Sequence, residues 1–178
     1  MAAGLSPPII AVVGWSGSGK TTLIERLVPA LRSLGVARVA AIKHTQHQEL
    51  DASGKDTDRF RRAGISTVGL VGPAGCALYL YEDQAEGLEG LMEIISPLGP
   101  FDLILLEGFK RSRWPKIEVV RKSIYPELVS SPEELVAVVA DFSLPCGVPQ
   151  FGFGEEDRLA AFVVDRLKRN RPGGKTGK

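Results

Sequence analysis

The sequence has little cysteine, almost no net charge and no long apolar run. Its two cysteines, Cys76 and Cys146, lie far apart and form no C-x-x-C pair, which argues against a disulfide framework or a zinc ribbon. A formal net charge of +1 argues against a protein that binds nucleic acid over its whole surface. No run has the length of a membrane span, and the N-terminus lacks a basic-then-apolar export signal. These absences predict a soluble, cytoplasmic protein with no membrane and no nucleic-acid partner.

The composition favours an ordinary globular fold. Hydrophobic residues make up 44% of the 178 residues, which is enough to bury the core of one α/β domain. We therefore expect a single domain over residues 1–169. Residues 170–178 are rich in glycine and basic residues, and we expect them to form a disordered basic tail.

One glycine-rich stretch has a phosphate-binding pattern. Residues 14–21 read GWSGSGKT, which matches the P-loop consensus G-x-x-x-x-G-K-[ST]. The apolar run 9–13 predicts a buried strand before it, and leucines at helical spacing predict a helix over residues 20–34 after it. A strand, a glycine loop and a helix N-terminus together direct backbone N–H groups at phosphate, so a chance match is the weaker interpretation.

This loop supplies most of the candidate nucleotide ligands. Glycines let the backbone approach an anion closely, Lys20 is placed to reach the β- and γ-phosphates, and the Thr21 hydroxyl is placed to bind Mg²⁺. We assign Lys20 as a catalytic group as well. The predicted nucleotide contacts in the loop are Ser16, Gly17, Ser18, Gly19, Lys20, Thr21 and Thr22.

Strands alternate with helices along the rest of the chain. Apolar and β-branched runs predict strands at residues 36–42, 66–71, 76–81, 101–108, 117–120, 135–140 and 148–151. Helical spacing predicts helices at 57–63, around 88–95 and at 155–169, with a brief helical turn after Ser131. The two strands around Gly72-Pro73-Ala74-Gly75 read as a hairpin. This pattern predicts an α/β, three-layer P-loop NTPase fold, with a mostly parallel sheet and an added antiparallel hairpin.

A second metal ligand is expected at the end of a buried strand. Glu107 closes the apolar run 101–108, and the carboxyl end of a parallel strand is where ligands bind in open α/β sheets. Asp102 is the competing carboxylate, but it opens the strand and would lie at the far edge of the sheet. We therefore predict that Glu107 is a catalytic group and a Mg²⁺ ligand; a solvent-facing carboxylate is the alternative.

Lys43, His44 and His47 follow the second predicted strand. The two histidines are three residues apart in a loop, with no cysteine or third histidine nearby, so a zinc site is weakly supported. We predict that these three residues contact a substrate or phosphate beside the P-loop. A solvated loop explains them equally well.

Three further groups are candidates. Asp56 is predicted as a catalytic and Mg²⁺-binding carboxylate and Arg59 as a substrate contact, although Asp56 could simply cap the helix that follows. Asp141 ends a predicted strand and is a candidate reader of guanine, although the Asn/Thr-Lys-x-Asp signature is absent. Lys110 is a candidate substrate contact in the basic loop 108–116, which could also be merely solvated.

Four motifs in this order and spacing resemble the MobB family, P-loop GTP-binding proteins of molybdenum-cofactor biosynthesis. They are WSGSGKTTL at 15–23, IKHTQH at 42–47, GKDT at 54–57 with RRAG at 61–64, and DLILLEGFK at 102–110. The resemblance runs from the first strand to the last helix. It implies a GTPase-like fold, GTP and Mg²⁺ as cofactors, weak GTP hydrolysis, and a homodimer with contacts through the hairpin. It further implies a role with molybdopterin or its guanine dinucleotide beside the nucleotidyltransferase MobA, which joins GMP to molybdopterin.

Two other functions are compatible with the same phosphate site. A small-molecule kinase would need an arginine-rich lid and an acceptor pocket; arginines are present, but no acceptor signature is visible. A non-hydrolysing adaptor that delivers molybdopterin or GTP would need the same phosphate and Mg²⁺ groups as a GTPase. The sequence does not separate the adaptor from the GTPase.

Overall fold

A computed structural model describes residues 7–45, 56–81 and 87–169. They belong to two compact units, one comprising residues 7–45 and 101–169, the other residues 56–81 and 87–100. His47 and the 170–178 tail lie outside the described residues. The expectation of a single domain over residues 1–169 stays a prediction.

The first unit is built on a six-stranded sheet. Its strands are β1 (Ile9–Val13), β2 (Val39–Lys43), β5 (Leu103–Glu107), β6 (Lys116–Val120), β7 (Leu135–Ala140) and β8 (Gln150–Phe151). The spatial order is β2-β5-β1-β6-β7-β8, and every neighbouring pair is parallel. All five residues of β1 are buried, as expected for a central strand without polar alternation. The predicted parallel sheet is confirmed.

Two helices of this unit are α1 (Lys20–Ser33) and α4 (Glu156–Arg169), which pack against each other. Their apolar stripes enter the same core as alternate residues of the central strands, because successive side chains of a strand point to opposite faces. The core includes Leu23, Leu27 and Leu31 from α1, Leu159 and Val163 from α4, and Ile10, Val12, Leu103, Leu105, Ile117, Val119 and Val139 from the sheet. This packing fixes the helix that follows the P-loop against the strand that precedes it.

The second strand begins later than predicted. Val36 donates its N–H to Leu31 O at 3.1 Å and so closes α1 rather than starting a ladder. The Asp102 carboxylate accepts the N–H groups of Ala37 and Arg38 at 3.0 and 2.9 Å. The backbone is free to pair with β5 only from Val39 onwards, where β2 begins.

Lys116 is not part of an exposed basic loop. It is the first residue of β6 and is fully buried, with its ammonium bonded to Glu134 at 2.6 Å and to Ser112 O. A buried ammonium needs such partners, because burying an unpaired charge is costly. The predicted helical turn after Ser131 is a hydrogen-bonded turn that brings Glu134 to this position, with Glu134 N donating to Ser131 O at 3.2 Å.

The second unit contains α2 (Asp56–Arg62), β3 (Thr67–Gly72), β4 (Gly75–Leu80) and α3 (Gly87–Ile95), followed by a 3₁₀ turn at Ser96–Leu98. β3 and β4 pair antiparallel from Thr67 opposite Leu80 to Gly72 opposite Gly75. The predicted hairpin is confirmed.

In the described part of the chain, no helix has the length and apolar character needed to cross a membrane.

Candidate functional site

The P-loop connects the end of β1 to the start of α1. Gly14 has a φ of +141°, and a Cβ there would lie 2.3 Å from Val119 O, so only glycine fits. Gly19 precedes the helix with a φ of +100°, and its carbonyl accepts the N–H of Leu23 at 2.8 Å. The N–H groups of the first helical turn have no intrahelical partner, which makes this helix end an anion-binding position.

The Lys20 ammonium folds back over the loop. It donates to Gly14 O at 3.2 Å and to Trp15 O at 2.8 Å. Burial lowers the pKa of Lys20; Glu107 opposes that shift, while the charges of Lys110 and Lys43 add to it. The positive charges of Lys43 and Lys110 therefore lie near the Lys20 ammonium, and such an environment suits a polyanion.

Ser18 is a buried residue of the loop. Its side chain lies against Gly14, since a Cβ built there would be 2.9 Å from Ser18 Oγ. Among the described residues, this hydroxyl has no hydrogen-bond partner. A buried hydroxyl without a partner costs about 1–3 kcal/mol, which a bound group or a water could recover.

Glu107 and Thr21 meet at the carboxyl edge of the sheet. Thr21 Oγ1 donates to Glu107 Oε1 at 2.8 Å. Lys43 pairs with the same Oε1 at 3.0 Å, because Lys43 at the end of β2 stands in register with Glu107 at the end of β5. The register also sets Glu107 opposite Val12 of β1, just before the P-loop. A hydroxyl and a carboxylate are the oxygen donors that Mg²⁺ prefers, so this pair fits the predicted ion.

Asp102 lies at the other end of β5. Its carboxylate is engaged by the backbone N–H groups of residues 37 and 38. The five residues of β5 lie between Asp102 and the P-loop edge, and a strand rises by about 3.3 Å per residue. Its position supports a structural role.

His44 extends this edge beyond Lys43. Its backbone N–H donates to Glu107 O at 2.9 Å. Its ring contacts the Phe109 ring edge-on, with the ring centroids 5.3 Å apart. Phe109 has a φ of +51°, which is unusual for a residue other than glycine. The chain after Glu107 is thus held in a sharp bend against His44.

On the other side of β1, Arg121 follows the last residue of β6. Its Nε donates to Ser18 O at 3.2 Å, and its guanidinium lies 3.9 Å from the ring centroid of Phe153. Asp141, directly after β7, lies 3.7 Å from Arg121 Nη1 and accepts the Lys122 N–H at 2.9 Å. The structure therefore brings Asp141 to the P-loop edge through Arg121, and its role in reading guanine stays a prediction.

The sequence interpretation missed Arg121 and Phe153. Arg121 carries a signal similar to that of Glu107 and Asp141, a charged residue at the end of a predicted strand or directly after it. Phe153 follows the short β8 and has no comparable signal. Only the order of the strands places both beside the P-loop.

Lys110 lies over the aromatic surface of the loop. Its ammonium is 4.7 Å from the ring centroid of Trp15, which also contacts Tyr125 at 4.6 Å. Trp15 remains 43% exposed, so this pair is open to a partner molecule. The contact keeps a positive charge next to the P-loop.

Asp56 and Arg59 belong to the second unit. Both are exposed on α2, where they form an ion pair of 3.3 Å. Asp56 is the first residue of the helix, a favourable place for a negative charge near the helix dipole. Their predicted roles with metal and substrate stay predictions.

Comparisons with known proteins agree with this architecture. The family model MobB, described as molybdopterin guanine dinucleotide synthesis protein B, matches residues 9–141. The chain is 34% identical over 167 residues to the molybdopterin-guanine dinucleotide biosynthesis adapter protein of Escherichia coli, covering 91% of this chain and 94% of that one. It is 36% identical over 161 residues to the protein of the same name in Haemophilus influenzae, covering 90% and 89%.

A solved structure shows the same fold. The crystal structure of Bacillus subtilis MobB superimposes with a TM-score of 0.67 at 26% identity, covering 90% of this chain and 97% of that chain. The prediction of a P-loop NTPase fold is confirmed by this likeness together with the parallel sheet. With a family model that spans most of its length and relatives that match it almost end to end, the chain belongs to the MobB family.

Proposed function

We propose that this protein binds GTP with Mg²⁺ at the P-loop and acts in the formation of molybdopterin guanine dinucleotide. The observation that carries the proposal is the meeting of Lys20, Thr21 and Glu107 at one edge of the sheet. Lys20 supplies a positive charge for the β- and γ-phosphates, and the uncapped N–H groups of α1 supply donors. The names of the relatives support the pathway.

Mg²⁺ would be held by Thr21 and Glu107, directly or through water. When bound, the ion neutralises phosphate charge and orients the terminal phosphate. Lys43 already places an ammonium against the same carboxylate oxygen, so this position attracts a cation. In this proposal Glu107 binds the cation, and Lys20 binds the phosphate anion.

Guanine would be read by Asp141. It stands at the carboxyl end of β7, on the same edge as the P-loop, and a carboxylate there can accept hydrogen bonds from guanine N1 and N2. Weak GTP hydrolysis is the first proposed activity, because the site can stabilise phosphate charge. An adaptor that binds GTP without hydrolysis uses the same groups, and the relatives' name, adapter protein, favours this second candidate.

A MobA-like nucleotidyltransferase is the proposed partner, with molybdopterin or its guanine dinucleotide as the shared ligand. Lys43, His44 and Lys110 surround the phosphate edge, and Lys110 lies over the exposed Trp15 ring. Positive charge beside an exposed aromatic ring suits a flat, phosphorylated ligand. His47 and Arg59 remain proposed substrate contacts.

A second copy of this chain is the proposed partner of the hairpin. Leu70, Val71 and Leu78 are 43%, 92% and 59% exposed there. An apolar hairpin surface of this kind is typical of an interface. Val71→Asp should convert a dimer into a monomer in analytical ultracentrifugation, whereas a wild-type protein that is already monomeric at micromolar concentration would exclude the dimer.

One reconstitution tests the proposed function. Purified protein is combined with a MobA-like nucleotidyltransferase, molybdopterin, GTP and Mg²⁺. Dinucleotide is quantified together with orthophosphate, which is measured separately from the pyrophosphate that GMP transfer from GTP releases. Lys20→Ala removes a charge-assisted contact worth about 1.5–3 kcal/mol, so GTP affinity should fall at least about tenfold. Arg26→Ala removes an exposed charge from the same helix and serves as the control.

The readouts separate the two candidates. Stimulated dinucleotide formation with orthophosphate release supports the GTPase, and stimulation with release of pyrophosphate alone supports the adaptor. If Lys20→Ala binds GTP as tightly as Arg26→Ala in calorimetry, the P-loop is not the nucleotide site.

A further inference from the structure

Arg121 is held by three separate parts of the first unit. Its Nε bonds Ser18 O of the P-loop, its face lies on Phe153 after β8, and its Nη1 approaches Asp141 after β7. A guanidinium can make all three contacts at once, because it is planar, stacks on aromatic rings and donates from its edge. A flexible ammonium cannot stack and donate in this way.

The hydrogen bond to Ser18 O controls the orientation of one peptide group. A trans peptide bond is planar, so its carbonyl and its N–H point in opposite directions. When Arg121 holds Ser18 O, the N–H of Gly19 is therefore directed away from Arg121. Gly19 has a φ of +100°, and as a glycine it is free to adopt other orientations if that hydrogen bond breaks.

The neighbourhood of Gly19 agrees with this function. A Cβ at Gly19 would lie 3.7 Å from Arg121 Nη2 and 3.7 Å from Phe153, so the stacked pair packs directly beside the glycine. The Arg121 charge also polarises the Ser18–Gly19 peptide and strengthens its N–H as a donor. The phosphate loop is thus supported from the side opposite Glu107.

We propose that Arg121 is a positioning residue for oligophosphate binding. It orients the Ser18–Gly19 peptide of the P-loop and connects it to Asp141, the candidate base-reading carboxylate. The inference deepens the proposed function and rests on it. If a bound base shifts Asp141, the Arg121 side chain would transmit that shift to the Ser18–Gly19 peptide of the phosphate loop.

The test measures binding of inorganic tripolyphosphate and of GTP by calorimetry. Arg121→Gln keeps a planar polar group and removes the charge and the fork of donors. We expect affinity for both ligands to fall roughly tenfold, the size of one charge-assisted hydrogen bond. Arg158→Gln is the matched control, because Arg158 also lies over a phenylalanine, 5.9 Å from the Phe151 ring, but pairs with Glu155 on its own helix end rather than with Ser18.

The equal loss on tripolyphosphate is the decisive readout, since that ligand has no base. Unchanged tripolyphosphate binding in Arg121→Gln, with weaker GTP binding, would reduce Arg121 to a base contact and overturn the inference. Arg121→Lys retains the charge alone and should remain weak, so full recovery by lysine would also overturn it. A wild-type protein that binds neither ligand would instead refute the proposed function, and the inference with it.

A second variant covers the case in which Arg121→Gln does not fold. Phe153→Leu keeps an apolar side chain and removes the stacked ring, so the guanidinium stays but is held less firmly. We expect tripolyphosphate to bind roughly threefold more weakly, because only the stacking interaction is removed and the hydrogen bond to Ser18 O remains. If Phe153→Leu binds tripolyphosphate as tightly as Arg158→Gln does, the stacked arrangement has no influence on the phosphate loop.

Discussion

Replacing Glu107 by glutamine tests the metal side of the proposed site. Glu107 Oε1 accepts the Thr21 hydroxyl at 2.8 Å and pairs with Lys43 at 3.0 Å, and the Glu107 side chain is only 12% exposed. Glutamine retains the shape and removes the charge. Lys43 is 60% exposed, so solvent screens its ion pair to at most about 1 kcal/mol, and the fold should survive.

The expected loss lies in Mg²⁺ binding. Loss of a ligand or of a group that orients one costs roughly 10–100-fold in metal affinity. The assay titrates Mg²⁺ into protein and GTP at fixed concentrations and follows nucleotide binding by calorimetry. Glu107→Gln should shift the Mg²⁺ midpoint upwards by roughly that factor, while binding without Mg²⁺ should change much less.

Asp102→Asn is the matched control on the same strand. Asp102 accepts two backbone N–H groups at the opposite end of β5. Its replacement should lower the free energy of unfolding by about 1–2 kcal/mol and leave the Mg²⁺ midpoint in place. If Asp102→Asn shifts the midpoint more than Glu107→Gln does, the reasoning from the carboxyl ends of the strands is refuted.

Three further predictions concern the charge of Lys20, the recognition of the nucleotide base by Asp141, and the two histidines that follow β2. Burial and the nearby charges of Lys110 and Lys43 lower the pKa of Lys20, and Glu107 only partly opposes this. A bound phosphate should raise that pKa again, so binding takes up protons and affinity falls as the pH rises through the lowered pKa. Calorimetry in two buffers of different ionisation enthalpy measures this exchange, and a wild type that takes up no more protons per bound GTP than Lys20→Ala would contradict it. Asp141→Asn should reduce the preference for GTP over ATP in a competition assay; equal binding of both nucleotides by the wild type would leave Asp141 no base to read. A double replacement of His44 and His47 by alanine should spare GTP binding and lower dinucleotide formation in the reconstituted system, and wild-type stimulation would assign these histidines to a solvated loop.

The elements that local pattern specifies are predicted best. The first strand at 9–13 and the strand at 135–140 have the predicted bounds, because each is a continuous apolar run that needs no partner to be recognised. The helix after the P-loop ends at Ser33, one residue earlier than expected. The hairpin was predictable from its Gly72-Pro73-Ala74-Gly75 turn.

The errors fall where another part of the chain competes for the backbone or the side chain. Residues 36–38 look like the start of a strand, but α1 and Asp102 take their hydrogen bonds. Lys116 reads as a member of a basic loop, but Glu134, 18 residues away, makes its burial possible. No window of neighbouring residues contains these partners.

By itself, the sequence determined that this protein has a phosphate loop between a strand and a helix, and that Glu107 stands at the end of a buried strand. Those features depend on adjacent residues and on the period of the chain. Only the tertiary structure decided that Lys43 meets Glu107 and that Arg121 supports Ser18. Both contacts require that β1 lies between β5 and β6, with β2 beyond β5. Strand order is settled by packing of the whole sheet, because each buried strand presents nearly the same apolar pattern to any neighbour.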